Sequence, residues 1–337
     1  MTTGATSTDP APDEVPDAAP QDPYCQHPGD APRRRPSGRL DEGRCSVQAL
    51  LAGDSPIATA PPARRWLLVE QPGPWGRDAL LQSRFDPVVA PLLAQRAREA
   101  GLRIQMVRRP GGRLADAGGR WAVADVRACW VRWSVRDTDA ELLEVPLDGS
   151  VGSPSTEPTF LVCTHGGHDA CCAVRGRPLA RALDGDVWET SHLGGDRFAA
   201  NVLVLPTGHL YGQVPEDGGD LVEAHRRGEV LLTGLRGRAG LTPPAQAAQQ
   251  FAREQLGSVG VADLPVTGVA TPGADADGAQ RWTVTMTGPD GDVVVVLDSR
   301  LSAHSRRLTC AATTPGRFRT WHLVSVHPAP VHPGGVG

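Results

Sequence analysis

The chain has 337 residues and a formal net charge of -4, with 40% hydrophobic and 21% charged residues. This length allows two or three domains, each with its own core, and the composition is that of a globular protein. The net charge predicts no nucleic-acid partner, and no apolar run approaches the roughly twenty residues that a membrane span needs. The acidic, proline-rich N-terminus is unlike a secretory signal, so we expect a cytoplasmic protein.

The first 150 residues predict a tail followed by an α/β domain. Residues 1–43 are rich in proline and poor in branched aliphatic side chains, which predicts a disordered tail. Within residues 44–150 we predict a strand at 66–70, a helix at 86–100, a strand at 102–107 and one or two strands at 122–135. We expect Cys45 and Cys129 to be core residues, because free cysteines are readily buried.

Two changes of composition divide the rest of the chain. A Gly/Ser/Pro/Thr-rich segment at 149–158 introduces a predicted domain at 151–238, with a strand at 159–163, a helix at 171–183, a strand at 187–191 and a hairpin at 201–214. A second break at 241–244 begins a smaller C-terminal α+β domain, residues 239–327, in which Thr242 caps a helix and a hairpin turns at 288–291. Residues 328–337 form a short predicted tail.

Segment 163–196 is the part of the sequence that is most informative about function. Three of the seven cysteines stand at positions 163, 171 and 172, and His192 and Asp196 follow on the next predicted loop. A two-iron cluster needs two protein ligands for each iron and brings both pairs into one small volume. His165 and His168 lie inside the first loop, either as ligands or as solvent-facing residues. The pattern predicts an iron–sulfur centre and electron transfer.

Several short stretches carry a resemblance to a known family. They are Val162-Cys163-Thr-His-Gly, Cys171-Cys172-Ala-Val-Arg-Gly-Arg-Pro178, Trp188-Glu-Thr-Ser-His192-Leu-Gly-Gly and Arg197-Phe-Ala-Ala-Asn201. These stretches resemble the sucrase/ferredoxin-like family, and the likeness covers roughly residues 45 to 326. The resemblance implies an α/β protein whose thioredoxin-like ferredoxin domain, residues 151–238, holds one [2Fe-2S] cluster. An N-terminal α/β layer and a smaller C-terminal α+β domain would accompany it.

The resemblance also implies a set of cluster ligands. The family's bis-histidine members have the pattern C-x8-C with H-x3-H, which gives two thiolates to one iron and two imidazoles to the other. Carried over to this chain, Cys163 and Cys172 would hold one iron, and His192 would lie on the second. Asp196 stands where those members have a second histidine. The fourth ligand is therefore open.

Three residues are candidates for the fourth ligand. Asp196 is in the correct register, and a carboxylate oxygen tolerates ferric iron. Cys310 lies in a block, Leu308-Thr-Cys310, that also resembles the family. Cys171 is local, but on a helix it would point about 100° away from Cys172. Asp196 is equally well explained as a turn residue after two glycines.

Other functions compete for the same residues. Cysteine and histidine also suit zinc, although the tight spacing of zinc ribbons is absent. A thiol–disulfide enzyme lacks its Cys-x-x-Cys motif here. Sucrose hydrolysis, which the family's name suggests, would need a pair of carboxylates that the sequence does not indicate. We therefore expect an electron carrier that serves a redox partner protein, rather than a stand-alone enzyme.

Overall fold

The computed structural model describes residues 43–111, 118–270 and 279–329. Nearly all of the two predicted tails, residues 1–42 and 330–337, lies outside the described residues. None of the helices in the described part of the chain is long and apolar enough to cross a membrane.

The described residues form five α-helices and fourteen strands. The helices are α1 Cys45–Leu51, α2 Val89–Glu99, α3 Ala170–Ala182, α4 Leu221–Arg226 and α5 Pro243–Leu256. The first seven strands are β1 Arg65–Glu70, β2 Leu102–Arg108, β3 Gly119–Asp125, β4 Trp130–Arg136, β5 Ser153–Pro154, β6 Thr159–Cys163 and β7 Asp186–Thr190. The others are β8 Val202–Leu205, β9 His209–Tyr211, β10 Leu235–Arg238, β11 Val266–Ala270, β12 Gln280–Gly288, β13 Gly291–Leu301 and β14 Arg319–Pro328.

Ten strands form one mixed sheet, in the order β10-β9-β8-β6-β7-β2-β1-β3-β4-β5. Its two halves meet where β2 pairs with β7 in antiparallel orientation, with Val107 opposite Thr190. The predicted boundary at residue 150 therefore lies inside a single sheet, although each half has the strands that the sequence predicted. The predicted α/β class is confirmed.

A second, four-stranded antiparallel sheet has the order β11-β12-β13-β14. Helix α5 begins after Thr242 with two prolines in its first turn, positions that need no backbone N–H donor. Its alanines Ala247, Ala248 and Ala252 share a buried core with Val284 and Val295 of this sheet. The hairpin predicted at 288–291 is confirmed as the β12–β13 turn.

One sequence expectation about the core is wrong. Cys129 is exposed and adopts a positive φ of 59° in the turn between β3 and β4. The side chain of Asp125 accepts backbone hydrogen bonds from Arg127 and Ala128 and so forms this turn. Because a turn residue between two antiparallel strands projects away from the sheet, Cys129 is not part of the core.

Strands β6 and β7 determine where ligand-bearing loops emerge. All five residues of β6 are buried, and β6 runs parallel to β7 with Cys163 opposite Thr190. Helix α3 makes the crossover between them, as parallel neighbours require. The loops after both strands therefore leave the sheet at the same edge, beside the N-terminus of α3.

A glycine allows α3 to approach this edge closely. A Cβ atom on Gly176 would overlap the carbonyl oxygen of Cys163, so only glycine fits there without a shift of the helix. Cys163 and Cys172 then share one buried cluster with Leu161 and Trp188. The close approach brings the end of β6 and the first turn of α3 together.

Candidate metal centre

Three of the predicted ligands meet at the edge formed by β6, α3 and β7. The ligand atoms of Cys163, Cys172 and His192 all lie within 4.8 Å of one another. Cys163 is the last residue of β6, Cys172 lies in the first turn of α3, and His192 follows β7 by two residues. Both sulfurs are buried, and the histidine side chain is 10% exposed.

Asp196 lies beside the same three residues. Its Oδ1 atom is 3.2 Å from His192 Nδ1 and 3.5 Å from Cys172 Sγ. The Asp196 side chain is only 2% exposed. A buried carboxylate needs charged or hydrogen-bonded neighbours, and here two of those neighbours are themselves metal-ligand types.

The turn that presents His192 and Asp196 is held by a buried arginine. Gly195 has a φ of +73°, a backbone conformation that favours glycine. A Cβ atom at this position would also overlap the Arg236 guanidinium, so there is no space for a side chain. Arg236 Nη1 donates to the Gly194 carbonyl and to Asn201 Oδ1, at 2.8 Å each. The Asn201 amide in turn donates to the Gly195 carbonyl at 3.0 Å. These bonds fix the spacing of the two candidate ligands.

Two loop histidines, the buried His165 and the partly exposed His168, lie next to the site. His168 stacks on His192 with ring centroids 3.7 Å apart and an interplanar angle of 18°. His168 also belongs to a second possible ligand group with His192 and Asp196. His165 Nε2 is 2.6 Å from the Gly76 carbonyl oxygen, which ties the loop to the segment after β1. His168 is partly exposed, so it connects the buried ligands to the surface.

Burial and the thiol pair control the charges at the site. A hydrogen bond from Cys172 lowers the pKa of the Cys163 thiol, and the backbone amides of His165 and Leu193 act in the same direction. Burial raises the pKa of Asp196 well above its usual value and lowers that of His192 well below its own. Cys163 and His192 thus favour the thiolate and the neutral imidazole, the forms that bind metals, whereas Asp196 favours its protonated form and would release a proton on binding a metal.

Cys310 and Cys171, the other candidates for the fourth ligand, lie in a different place. They form a second group with Cys45 and Asp169, in which all ligand atoms again lie within 4.8 Å. Cys45 is buried as expected, but it is part of this group of cysteines rather than surrounded only by apolar side chains. No spacing pattern in the sequence joins residues 45, 171 and 310.

The sequence interpretation assigned no role to Arg236, which holds the ligand turn. It lies 40 residues after Asp196, on β10, which is an edge strand of the ten-stranded sheet. Arginines are numerous in this chain, and nothing local distinguishes this one. Only its burial, with 1% exposure, and its contacts with the Gly194 carbonyl and Asn201 reveal its function in the fold.

Comparison with known families places the site within a family domain. A sucrase/ferredoxin-like family model matches residues 56–237, more than half of the 337 residues. Comparisons with curated proteins and with solved structures gave no significant match. The matched region contains all of the first ligand group, while Cys45 and Cys310 lie outside it. The chain belongs to the sucrase/ferredoxin-like family.

Proposed function

We propose that the protein is an electron carrier with one [2Fe-2S] cluster at the edge formed by β6, α3 and β7. Cys163 and Cys172 would hold one iron, and His192 and Asp196 the other. The observation that supports this assignment is the convergence of these four donors in one buried site. Two thiolates, one imidazole and one carboxylate supply two ligands for each iron, which is what the cluster needs.

The polar groups at the site fit an iron–sulfur centre. Asp196 is buried without a cationic side chain as its direct hydrogen-bond partner in the described residues, and a metal ion would supply the positive charge that stabilises its carboxylate. The backbone amides of His165 and Leu193 face the Cys163 sulfur, as amides do around cluster sulfurs. When bound, the cluster would accept and release one electron at a time. The protein's own residues hold it, exclude water and set its charge.

The strand order supports a thioredoxin-like arrangement for this region. Strands β7, β6, β8 and β9 are neighbours in that order, with β6 parallel to β7 and antiparallel to β8. Helix α3 connects β6 to β7, and α4 follows the β8–β9 hairpin. We propose that this unit is a thioredoxin-like ferredoxin domain. It shares its sheet with the N-terminal half of the chain.

His168 offers the way for electrons to reach a partner. It stacks on His192 and is partly exposed, whereas the two thiols are fully buried. A redox partner protein that docks over the loop carrying His168 would thus approach the second iron through the imidazole of His192. The six cysteines in the described residues are all free, which suits a reducing cytoplasm.

A zinc site is the alternative that the geometry supports. The ligand atoms of Cys163, Cys172 and His192 lie close enough for one ion to reach all three. Zinc would complete a tetrahedron with Asp196 or water. Such a site would be colourless and would transfer no electrons. A thiol–disulfide activity of the Cys163–Cys172 pair would leave the protein free of metal.

The test is purification of the full chain without oxygen, followed by metal and sulfide analysis. We expect a red-brown protein with two iron atoms and two acid-labile sulfides per chain, and an electron paramagnetic resonance signal after reduction. The variant Cys163→Ser should lose iron and colour, while Cys129→Ser, at an exposed turn, should keep both. A colourless wild-type protein that contains only zinc would contradict the proposal.

A further inference from the structure

Three cysteine side chains from distant parts of the chain meet on the other side of the first turn of α3. We call Cys45, Cys171 and Cys310 the three-cysteine cluster. The Sγ–Sγ distances are 3.7 Å for Cys45–Cys171, 3.2 Å for Cys171–Cys310 and 3.6 Å for Cys310–Cys45. The residues are separated by 126, 139 and 265 positions in the sequence. Such a convergence is a property of the fold.

Asp169 completes the cluster with a carboxylate. One oxygen, Oδ1, accepts the Cys171 backbone N–H at 2.8 Å and caps α3. The other, Oδ2, accepts the Cys310 backbone N–H at 2.7 Å and lies 4.0 Å from Cys45 Sγ. The carboxylate is 3% exposed, so it is held in place with Oδ2 among the three sulfurs.

These four groups have the geometry of a tetrahedral metal site. Zinc–sulfur bonds of about 2.3 Å place tetrahedral sulfur ligands about 3.8 Å apart, and a carboxylate oxygen about 3.6 Å from each sulfur. The measured sulfur distances of 3.2–3.7 Å and the sulfur–oxygen distance of 4.0 Å lie close to these values. Lengthening the shortest sulfur–sulfur distance by about 0.6 Å and shortening the sulfur–oxygen distance by about 0.4 Å would give the tetrahedral values.

We propose that the three-cysteine cluster and Asp169 form a second metal site, which holds one structural zinc ion. Three thiolates and one carboxylate fill all four positions, so no position is open for substrate or water, as in structural zinc sites. Cys45 and Cys171 are fully buried, and Cys310 is partly exposed. Among the described residues of the cluster, Cys310 is thus the cysteine that faces solvent, which gives an ion a side from which to enter.

A disulfide accounts for the cluster less well. One disulfide would pair two of the thiols and leave the third buried beside the Asp169 carboxylate. A metal ion uses all three sulfurs and also supplies a positive charge for the carboxylate, which is otherwise costly to bury. Two arginines bond to residues of the same segments: Arg175 Nε donates to Ser46 Oγ at 3.3 Å, and Arg307 donates to the Cys310 carbonyl.

The location of the site indicates its role in the fold. Cys45 begins α1, Cys171 lies in the first turn of α3, and Cys310 lies in the segment between β13 and β14. That segment, residues 302–318, has no helix or strand apart from an isolated bridge between Arg306 and Gly316. A zinc ion bound to all three cysteines would link this long loop and α1 to α3, the helix that also carries Cys172. The proposal does not depend on the nature of the first site.

The test measures zinc and iron separately in the full chain, expressed with both metals present. We expect one zinc per chain in the wild type. Cys45→Ser and Cys310→Ser should reduce zinc to less than about a tenth while iron stays unchanged, and Cys163→Ser should lose iron while zinc stays unchanged. Cys129→Ser should keep both metals, because its thiol is exposed and far from other cysteines in the sequence.

A second measurement keeps the test decisive if the serine variants fold poorly. In the Cys163→Ser background, Co²⁺ added in place of zinc should give an intense thiolate-to-cobalt charge-transfer band at one equivalent, and one equivalent of Zn²⁺ should remove it. Asp169→Asn in the same background should weaken metal binding at least roughly tenfold. Three results would overturn the proposal: no zinc and no cobalt band, loss of iron in Cys45→Ser, or a Cys171–Cys310 disulfide in freshly purified protein.

Discussion

Cys171 and Cys172 are consecutive residues of α3, and their sulfurs belong to two different ligand groups. The Cys172 thiol contacts Asp196, at 3.5 Å, whereas Cys171 Sγ lies 3.2 Å from Cys310 Sγ. Consecutive side chains on a helix diverge by about 100°, so one turn can present ligands to two separate sites. The two groups are therefore linked through a single peptide unit.

This relationship predicts opposite effects for two neighbouring substitutions. Cys172→Ser should lose more than about nine tenths of the iron, because it removes a thiolate from the proposed cluster. Cys171→Ser should keep the iron, because its sulfur faces Cys45 and Cys310. Iron analysis and visible absorption of the two purified variants measure the difference. Equal loss of iron from both variants would contradict this assignment. It would show that iron binding depends on the conformation of the first turn of α3 rather than on which cysteine is a ligand.

Replacement of Asp196 by histidine should raise the reduction potential. The change exchanges a carboxylate for a neutral imidazole and removes one negative charge from the proposed site. Replacing two cysteines by histidines accounts for at least roughly 250 mV between plant-type and Rieske centres, so one charge corresponds to on the order of 100 mV. Potentiometry followed by electron paramagnetic resonance measures the shift. Cys129→Ser, at an exposed turn, is the control and should leave the potential unchanged; an unchanged potential in Asp196→His would remove Asp196 from the ligand set.

Gly176→Ala should destabilise the junction between α3 and β6. The new methyl group would overlap the carbonyl oxygen of Cys163. This is a backbone atom of β6, so it cannot move away by a side-chain rotation. Overpacking of this kind costs about 1–3 kcal/mol in the free energy of unfolding, and it should also lower the iron content by moving Cys172 away from Cys163. Urea denaturation and iron analysis test both effects. In Gly268→Ala, the added methyl group would make only ordinary contacts with Thr285, so this control should retain its iron.

Much of the local structure follows from the sequence, whereas the joining of the two sheet halves does not. The turn at 288–291 and the start of α5 after Thr242 are specified by residues that are adjacent in the chain, and both are confirmed, although the Thr242 side chain makes no capping hydrogen bond. The antiparallel ladder between β2 and β7 has two residue pairs, Val107–Thr190 and Arg108–Glu189. A pairing this short leaves no periodic pattern that distinguishes it from two separate sheets.

The candidate site shows the same limit. Cys163 ends β6, Cys172 lies in the helix that follows it, and His192 and Asp196 follow the adjacent parallel strand β7, so their proximity could be predicted from the order of the elements. The partners of Cys171 could not, because Cys45 and Cys310 are more than a hundred positions away in opposite directions. Their meeting depends on how α1 and the loop after β13 pack on α3, which is decided by tertiary contacts.

The buried histidine of α4 should make the protein less stable in acid. Burial lowers the pKa of His225 to about 4, its Nε2 atom is 2.9 Å from the Tyr211 hydroxyl, and its ring packs edge-on against Phe160. In the unfolded chain a histidine has a pKa of about 6.5, so between these values the unfolded state binds the extra proton. Stability is therefore fully present above pH of about 6.5 and falls as the pH is lowered towards 4, by about 3 kcal/mol for this group alone.

His225→Gln should flatten that part of the pH dependence, because a glutamine amide can donate to or accept from the Tyr211 hydroxyl but does not titrate. The measurement is the free energy of unfolding in urea at several pH values between 7.5 and 4. His322→Gln, which replaces an exposed histidine on β14, is the matched control and should keep the wild-type slope. His209, also buried and with a lowered pKa, acts in the same direction and leaves a residual slope in both variants. If His225→Gln and His322→Gln gave equal slopes, protonation of His225 would not be what destabilises the fold in acid.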